Sequence, residues 1–496
     1  MVNMRKRYGI VINGRRTGYL QSWRVLGLAL TVGLAGCTAG PDFQRPQAPE
    51  VTRYTTTSID TRTRGAVTTV AGEQQFITGM QVDERWWRSL KSPTLDRLIE
   101  EALSFSPSLM SAKATLRQAK EIYSAHAGST LYPQVDAGLS VQRQRMNPNI
   151  PGLDGDAMKF SLYDASVGVR YSLDLAGSNR RTLEALAARV DYHRYEFQAA
   201  QLVLAGNIAT AAITRARLAE QIESMGVILQ NLEEQVYLAR ERLRYGQAAP
   251  DEVSAKKILA EQKRAELPTL RKQMQQTEHL IAVLAGRAPG EHGLPEFKLA
   301  DFALPAELPL LIPSELVRHR PDIRASEALL HEANANYGAA IAKLYPQINL
   351  NANLGSQAMT TASLFSSGSS VWNLVGQLTQ PLFNRGLPAE KRAAQAAFDA
   401  ATANYQSVVL ESFRNVADVL RAVENDAQAL AAMDAANNAA CDSLRSVEQQ
   451  YRFGSASYVQ LLIARQQAQQ TQLARVAAQA QRLTNSVALY QVIGAG

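Results

Sequence analysis

The sequence predicts an α+β membrane protein in which four β-strands per chain contribute to a barrel shared between chains, continued by very long α-helices. Three observations carry this prediction. Four segments alternate apolar and polar residues over at least about ten positions, as membrane-spanning strands do. Two stretches lack proline over lengths that ordinary globular helices do not reach. One set of landmarks occurs twice, in the same order.

At the N-terminus, Arg5, Lys6, Arg7, Arg15, Arg16 and Arg24 precede an apolar run over residues 25–34, too short to span a bilayer as a helix. Leu34-Ala35-Gly36-Cys37 closes the segment and resembles the lipobox of bacterial lipoproteins. The resemblance implies that residues 1–36 are a signal peptide and that the Cys37 thiol receives a lipid. Thr38, not Asp, follows the cysteine, so the inner-membrane retention signal is missing. The expected address is the outer membrane, with the chain lipid-anchored, membrane-spanning and largely periplasmic. Removing 36 residues that hold six Lys/Arg and no acid lowers the formal net charge from +7 to +1. Such a chain lacks the basic face that nucleic acid requires. With Cys37 lipidated only Cys441 remains, no intramolecular disulfide forms, and Ala439-Ala440-Cys441 predicts a small buried thiol.

Residues 37–91 read as a lipidated extended segment containing Pro41, Pro46 and Pro49. The landmarks then begin. Pro107, Ala114, Leu116, Ala119 and Tyr123 lead to Leu131-Tyr132-Pro133-Gln134-Val135; Pro321, Ala328, Leu330, Ala333 and Tyr337 lead to Leu344-Tyr345-Pro346-Gln347-Ile348. Arg244-Tyr245-Gly246 is echoed by Arg452-Phe453-Gly454. The chain therefore reads as a tandem repeat, 92–288 and 321–496, joined by a Pro-rich segment at 289–320.

Each repeat reads as a helix, two strands and a long helical hairpin. Strands are expected near 133–146 and 160–175, then 346–358 and 370–383. Val135, Ala137, Leu139 and Val141 alternate with Asp136, Ser140 and Gln142; Val167, Val169, Tyr171 and Leu173 repeat the pattern, as do Ile348, Leu350, Ala352 and Leu354, and Trp372, Leu374, Gly376 and Leu378. Residues 147–159 and 359–369, rich in Gly, Ser, Asn, Asp and Thr, suit exposed loops. Residues 179–245 form one helix of good helix formers, on the order of 100 Å long. The second repeat matches it, with no proline after Pro388. Ala393, Ala396, Ala397, Ala400 and Ala403 permit close packing of neighbouring rods. Four strands cannot close a barrel, and an open edge in lipid leaves backbone groups unpaired. Three chains give twelve strands, within the range of closed membrane barrels.

Further motifs carry a family resemblance. They are Cys37-Thr-Ala-Gly40-Pro41-Asp42-Phe43 with Arg45-Pro46, Trp86-Trp87 with Leu95-Asp96 and Leu98-Ile99, Tyr171 with Leu173-Asp174-Leu175 before Gly177, and Arg320-Pro321-Asp322-Ile323-Arg324. With these the chain resembles the outer-membrane factors of tripartite efflux systems, the TolC-like and OprM-like proteins, in their lipoprotein branch. Ala176, where the family usually has an aromatic, is a local departure. The resemblance implies a homotrimer whose twelve-stranded outer-membrane barrel opens into a periplasmic coiled-coil barrel. It implies an exit duct that passively exports drugs or other small molecules. Its partners would be a periplasmic adaptor (membrane fusion protein) and an inner-membrane pump, the lipoprotein branch favouring the proton-driven RND class.

The resemblance also implies site residues. The adaptor-contacting tips map onto Gly246-Gln247-Ala248-Ala249 and Gly454-Ser455-Ala456-Ser457, and the periplasmic gate onto Asp418. No catalytic residue, metal or cofactor is implied beyond the covalent lipid on Cys37. His126, His193, His279, His292, His319 and His331 lack metal-ligand spacing, and no phosphate loop or nucleophile motif is present. The alternative is a structural coiled-coil outer-membrane lipoprotein without transport activity. It explains the helices but not the repeated alternating strands.

Overall fold

A computed structural model describes residues 38–47, 50–57, 62–63, 72–80, 83–146 and 158–494. The expected signal peptide, Cys37 and most of the first strand-connecting loop lie outside them. The chain divides into two compact units. One holds Met1–Phe43, Ile122–Leu186 and Glu332–Phe398; the other holds Gln44–Glu121, Ala187–His331 and Asp399–Gly496.

Eight α-helices and seven strands are described. The helices are α1 (Pro93–Phe105), α2 (Pro107–Leu131), α3 (Ser178–Arg244), α4 (Pro250–Leu284), α5 (Pro313–His319), α6 (Pro321–Ala342), α7 (Gly386–Arg452) and α8 (Tyr458–Val492). The strands are β1 (Arg62–Thr63), β2 (Gln74–Thr78), β3 (Gln134–Met146), β4 (Met158–Leu173), β5 (Glu307–Leu310), β6 (Gln347–Ala358) and β7 (Ser370–Thr379). α3 and α7 have 67 residues each, and α4 and α8 have 35 each. Proline ends or begins elements where its missing N–H costs least: Pro93, Pro250 and Pro313 each sit in the first turn of their helix.

In the first unit the four long strands form one antiparallel sheet in the order β3-β4-β6-β7. In the second unit the core gathers around α1, the middle of α3 and α7, and the end of α8. Ile99, Ile208, Ile213, Leu420, Val423 and Val487 are shut off from solvent there, each burial stabilising by roughly 1.5–3 kcal/mol. Trp86 lies against Tyr490 with ring centroids 5.2 Å apart and planes 14° from parallel. The buried stripe of α7 runs Tyr405, Val409, Ser412, Val416, Leu420, Val423, Ala427, Leu430 and Asp434. Steps of three and four residues keep it on one side of the helix, so α7 packs rather than standing as a solvated rod.

Two features depart from expectation. A small sheet, β1-β2-β5, pairs β2 with β5 in parallel, joining the N-terminal segment to the Pro-rich connection. Pro309 within β5 obscured that strand in the sequence; β5 is an edge, where a missing N–H is tolerated. Cys441 is half-buried rather than buried, because its stretch of α7 has few neighbours within one chain: Ala436, Ala439 and Asp442 around it are exposed.

Candidate functional site

The register of the large sheet decides what its alternation means. Ala137, Val167, Leu354 and Trp372 stand in one row across all four strands, and Val135, Val169, Ala352 and Leu374 in another. Between them lies the row Asp136, Gly168, Asn353 and Asn373; beyond it come Gln134, Arg170, Asn351 and Val375. The four alternations are in phase, so one face is apolar and the other mainly polar; a slip of one residue in any strand would mix them. The apolar face is uncovered: Leu139 is 82% exposed and Trp372 76%. On the polar face Arg170 donates to Asp136 at 2.6 Å across neighbouring strands. Among the described residues, β3 and β7 each have a strand neighbour on one side only.

The helical hairpins of the second unit carry the two turns. In the first, Gly246 adopts φ +69°. Its N–H donates to the Leu243 carbonyl at 2.9 Å, and Gln247 N–H donates to that of Arg242 at 2.7 Å. In the second, Gly454 has φ +76°, donating to Tyr451 at 3.0 Å, while Ser455 donates to Gln450 at 2.9 Å. Both are Schellman closures, which require a left-handed residue at the helix end. Tyr245 and Phe453 beside them are exposed, at 67% and 87%. Of the eight tip residues only Ala248 and Ala456, at matching places, are half-buried; the other six are exposed.

A description of the family "Outer membrane efflux protein" matches residues 98–287 and again 312–495. The chain belongs to the outer membrane efflux protein family. The family's double match divides the chain as the repeated element lengths do. "Pyoverdine export outer membrane protein OpmQ" of Pseudomonas putida is 30% identical over 420 residues, 84% of this chain and 88% of that protein. "Probable outer membrane lipoprotein SilC" of Salmonella typhimurium is 26% identical over 480 residues, 95% of this chain and 98% of that protein. Among solved structures, the outer-membrane channel OprN superposes with a TM-score of 0.79 at 25% identity, covering 93% of this chain and 99% of its own.

Within this efflux protein, Asp418 is exposed on α7. It shares a solvent stripe with Glu411, Arg414 and Asn425, and makes no ion pair or side-chain hydrogen bond among the described residues. It lies 34 residues before Arg452, roughly 50 Å of helix from the second turn. The structure thus separates Asp418 from the tips.

Near the turns, side chains tie the two hairpins together in a way the sequence did not reveal. Tyr458 Oη donates to Glu234 at 2.5 Å, and Gln235 Nε2 donates to Gln466 Oε1 at 3.4 Å. Donation to Glu234 holds the Tyr458 hydroxyl above its ordinary range. This contribution is complete below the ordinary tyrosine value of about 10 and is lost as pH rises through the higher folded value. Two residues 224 apart in sequence carry no local spacing signal; only the repeat alignment, which places both hairpins side by side, could have suggested the pairing.

Proposed function

We propose that this efflux protein is the outer-membrane exit duct of a tripartite system. Three chains pair β7 of one copy with β3 of the next, closing a twelve-stranded barrel. The observation that carries the reading is the sheet itself: an uncovered apolar face, a polar face opposite, and two edges without neighbours. In lipid each of those features needs a closed barrel, since unpaired backbone groups there cost several kcal/mol. Ala393, Ala396, Ala397, Ala400 and Ala403 are all exposed in the single chain, which suits close approach of helices from neighbouring copies in a coiled-coil tunnel.

Transport through the duct is passive and the chain performs no catalysis. The energy comes from an inner-membrane pump of the proton-driven RND class, joined through a periplasmic adaptor. The adaptor meets the tips Gly246-Gln247-Ala248-Ala249 and Gly454-Ser455-Ala456-Ser457. Cys37 carries the acyl chains, a reading supported by the lipoprotein relative. Asp418, one per chain, forms the ring of the periplasmic gate; three convergent carboxylates repel one another and so favour cations in the lumen.

The test is electrical. Purified protein should run as a heat-sensitive trimer and give discrete cation-preferring channels in planar bilayers. A trimer with no conductance would return the chain to a structural lipoprotein. Asp418→Ala should raise open probability or weaken divalent-cation block; wild-type values for both would remove Asp418 from the gate.

A further inference from the structure

The first described residues are held in a cradle, built within one compact unit from the end of β4, the first turn of α3 and the middle of α6. Arg181, whose side chain is 3% exposed, is its centre. Its Nε donates to the Ala39 carbonyl at 3.2 Å; Nη2 donates to the Gly40 carbonyl at 3.2 Å and to Asp42 Oδ1 at 2.7 Å. Nη1 donates to Glu184 at 2.7 Å, which fixes the guanidinium plane from below. Two further bonds close the dock. Ala39 N–H donates to the Ala176 carbonyl at 2.8 Å, and Asn334 Nδ2 donates to that of Pro41 at 3.1 Å.

Glycines make this closeness possible. Gly40 has φ +84°, and a Cβ there would lie 2.7 Å from Gly338 Cα. A Cβ on Gly338 would lie 2.9 Å from Arg181 Nε, and one on Gly177 would lie 2.8 Å from Thr38. A buried guanidinium is tolerated only when its donors are met. Here most of its acceptors belong to the arm. A flexible tether has no need of such a fixture.

We propose that this cradle is the seat of the N-terminal anchor, with Arg181 as the residue that positions it. It fixes the segment after Cys37 against the β4–α3 junction, so that the acyl chains enter the membrane beside the strands of their own chain. Untethered, the eight residues 37–44 that precede Arg45, which pairs with Glu327, would let the anchor wander over roughly 26 Å. With Thr38 pinned, the acylated residue is one peptide bond from a fixed point. The inference rests on the lipid-bearing reading of Cys37.

The test uses the intact trimer from cells fed a photoactivatable fatty acid, which the lipoprotein pathway places on Cys37. On illumination, the acyl group should cross-link to peptides of β4 and β6, identified by mass spectrometry. Gly40→Val disrupts the dock from the arm and leaves the scaffold untouched; Arg181→Ala disrupts it from the scaffold. Each should lower the strand cross-link by roughly tenfold, the factor one lost charge-assisted hydrogen bond gives. Arg181→Lys should retain part of it, because one ammonium cannot meet acceptors spread along a fork. Unchanged cross-links in both Gly40→Val and Arg181→Ala would overturn the cradle's role while leaving Cys37 lipidated. Absence of acyl label from the wild-type N-terminal peptide would overturn it differently, through failure of the lipoprotein reading.

Discussion

The two helical hairpins agree in length and differ in how they are finished. Each has a 67-residue helix, a Schellman turn and a 35-residue return. The first turn is held by charge: Arg242 pairs with Glu252 at 2.7 Å, and α4 starts at Pro250 behind an uncapping Ala249. The second is held by a capping box, Ser457 with Gln460, beside the rings of Tyr451 and Tyr458, 5.5 Å apart. The flanks differ as well. On α3, Ile228, Leu232, Val236 and Ala239 are buried, whereas Ala436, Ala440, Leu444 and Val447, 208 positions later on α7, are exposed or half-buried. Equal spans with unequal surfaces show that length was held in common while turn chemistry and outer faces diverged. The reach of a duct wall tolerates no mismatch between copies; its caps and flanks do.

The contrast in the flanks gives the largest expected effect. Leu232→Ala opens a cavity inside one chain and should cost about 2–5 kcal/mol, read as loss of folded protein. Leu444→Ala, on the half-covered flank, should leave the monomer fold intact and lower the temperature at which trimers dissociate. Equal effects of the two on monomer folding would erase the distinction between an inner and an outer rod.

At the tips, Ala248→Trp and Ala456→Trp should each reduce export roughly tenfold, as a loss of about 1.4 kcal/mol of adaptor binding would. Susceptibility assays check this, with trimer abundance measured alongside. Loss for one turn and not the other would show that a single tip carries the partner.

The caps come next. Ser457→Ala should destabilise the start of α8 by about 1 kcal/mol, and Ala249→Ser should stabilise the start of α4 by a similar amount. Hydrogen exchange in the first turns of both helices reads this directly. The smallest effect belongs to Arg242→Ala: an exposed pair contributes roughly 0.2–1 kcal/mol, so exchange near Gly246 should rise slightly and only at low salt.

Much of this was legible in the sequence for a physical reason. Period-two alternation located all four long strands, because each side chain of a spanning strand meets either lipid or water. Absence of proline located the rods to within a residue or two. Other elements left no local trace. β5 is four residues long and contains Pro309, so no pattern marks it, and its partner β2 lies more than two hundred residues away. Cys441 sits in an apolar-looking run, yet alanines on a long rod are small rather than buried. The partners of Arg181 in the arm were equally hidden, since Ala39, Gly40 and Asp42, about 140 residues away in sequence, converge on it only after the chain has folded.

The two bare edges of the four-stranded sheet have a consequence for biogenesis. If the proposed three-chain barrel forms, then until its copies associate each chain presents a wide apolar face and two open ladders to an aqueous compartment, which is the configuration most prone to indiscriminate strand addition. The hazard is therefore greatest before insertion and ends with closure. A cell that makes this protein faster than it can shepherd unassembled chains to the membrane should accumulate aggregates built from the sheet, with the helices still folded.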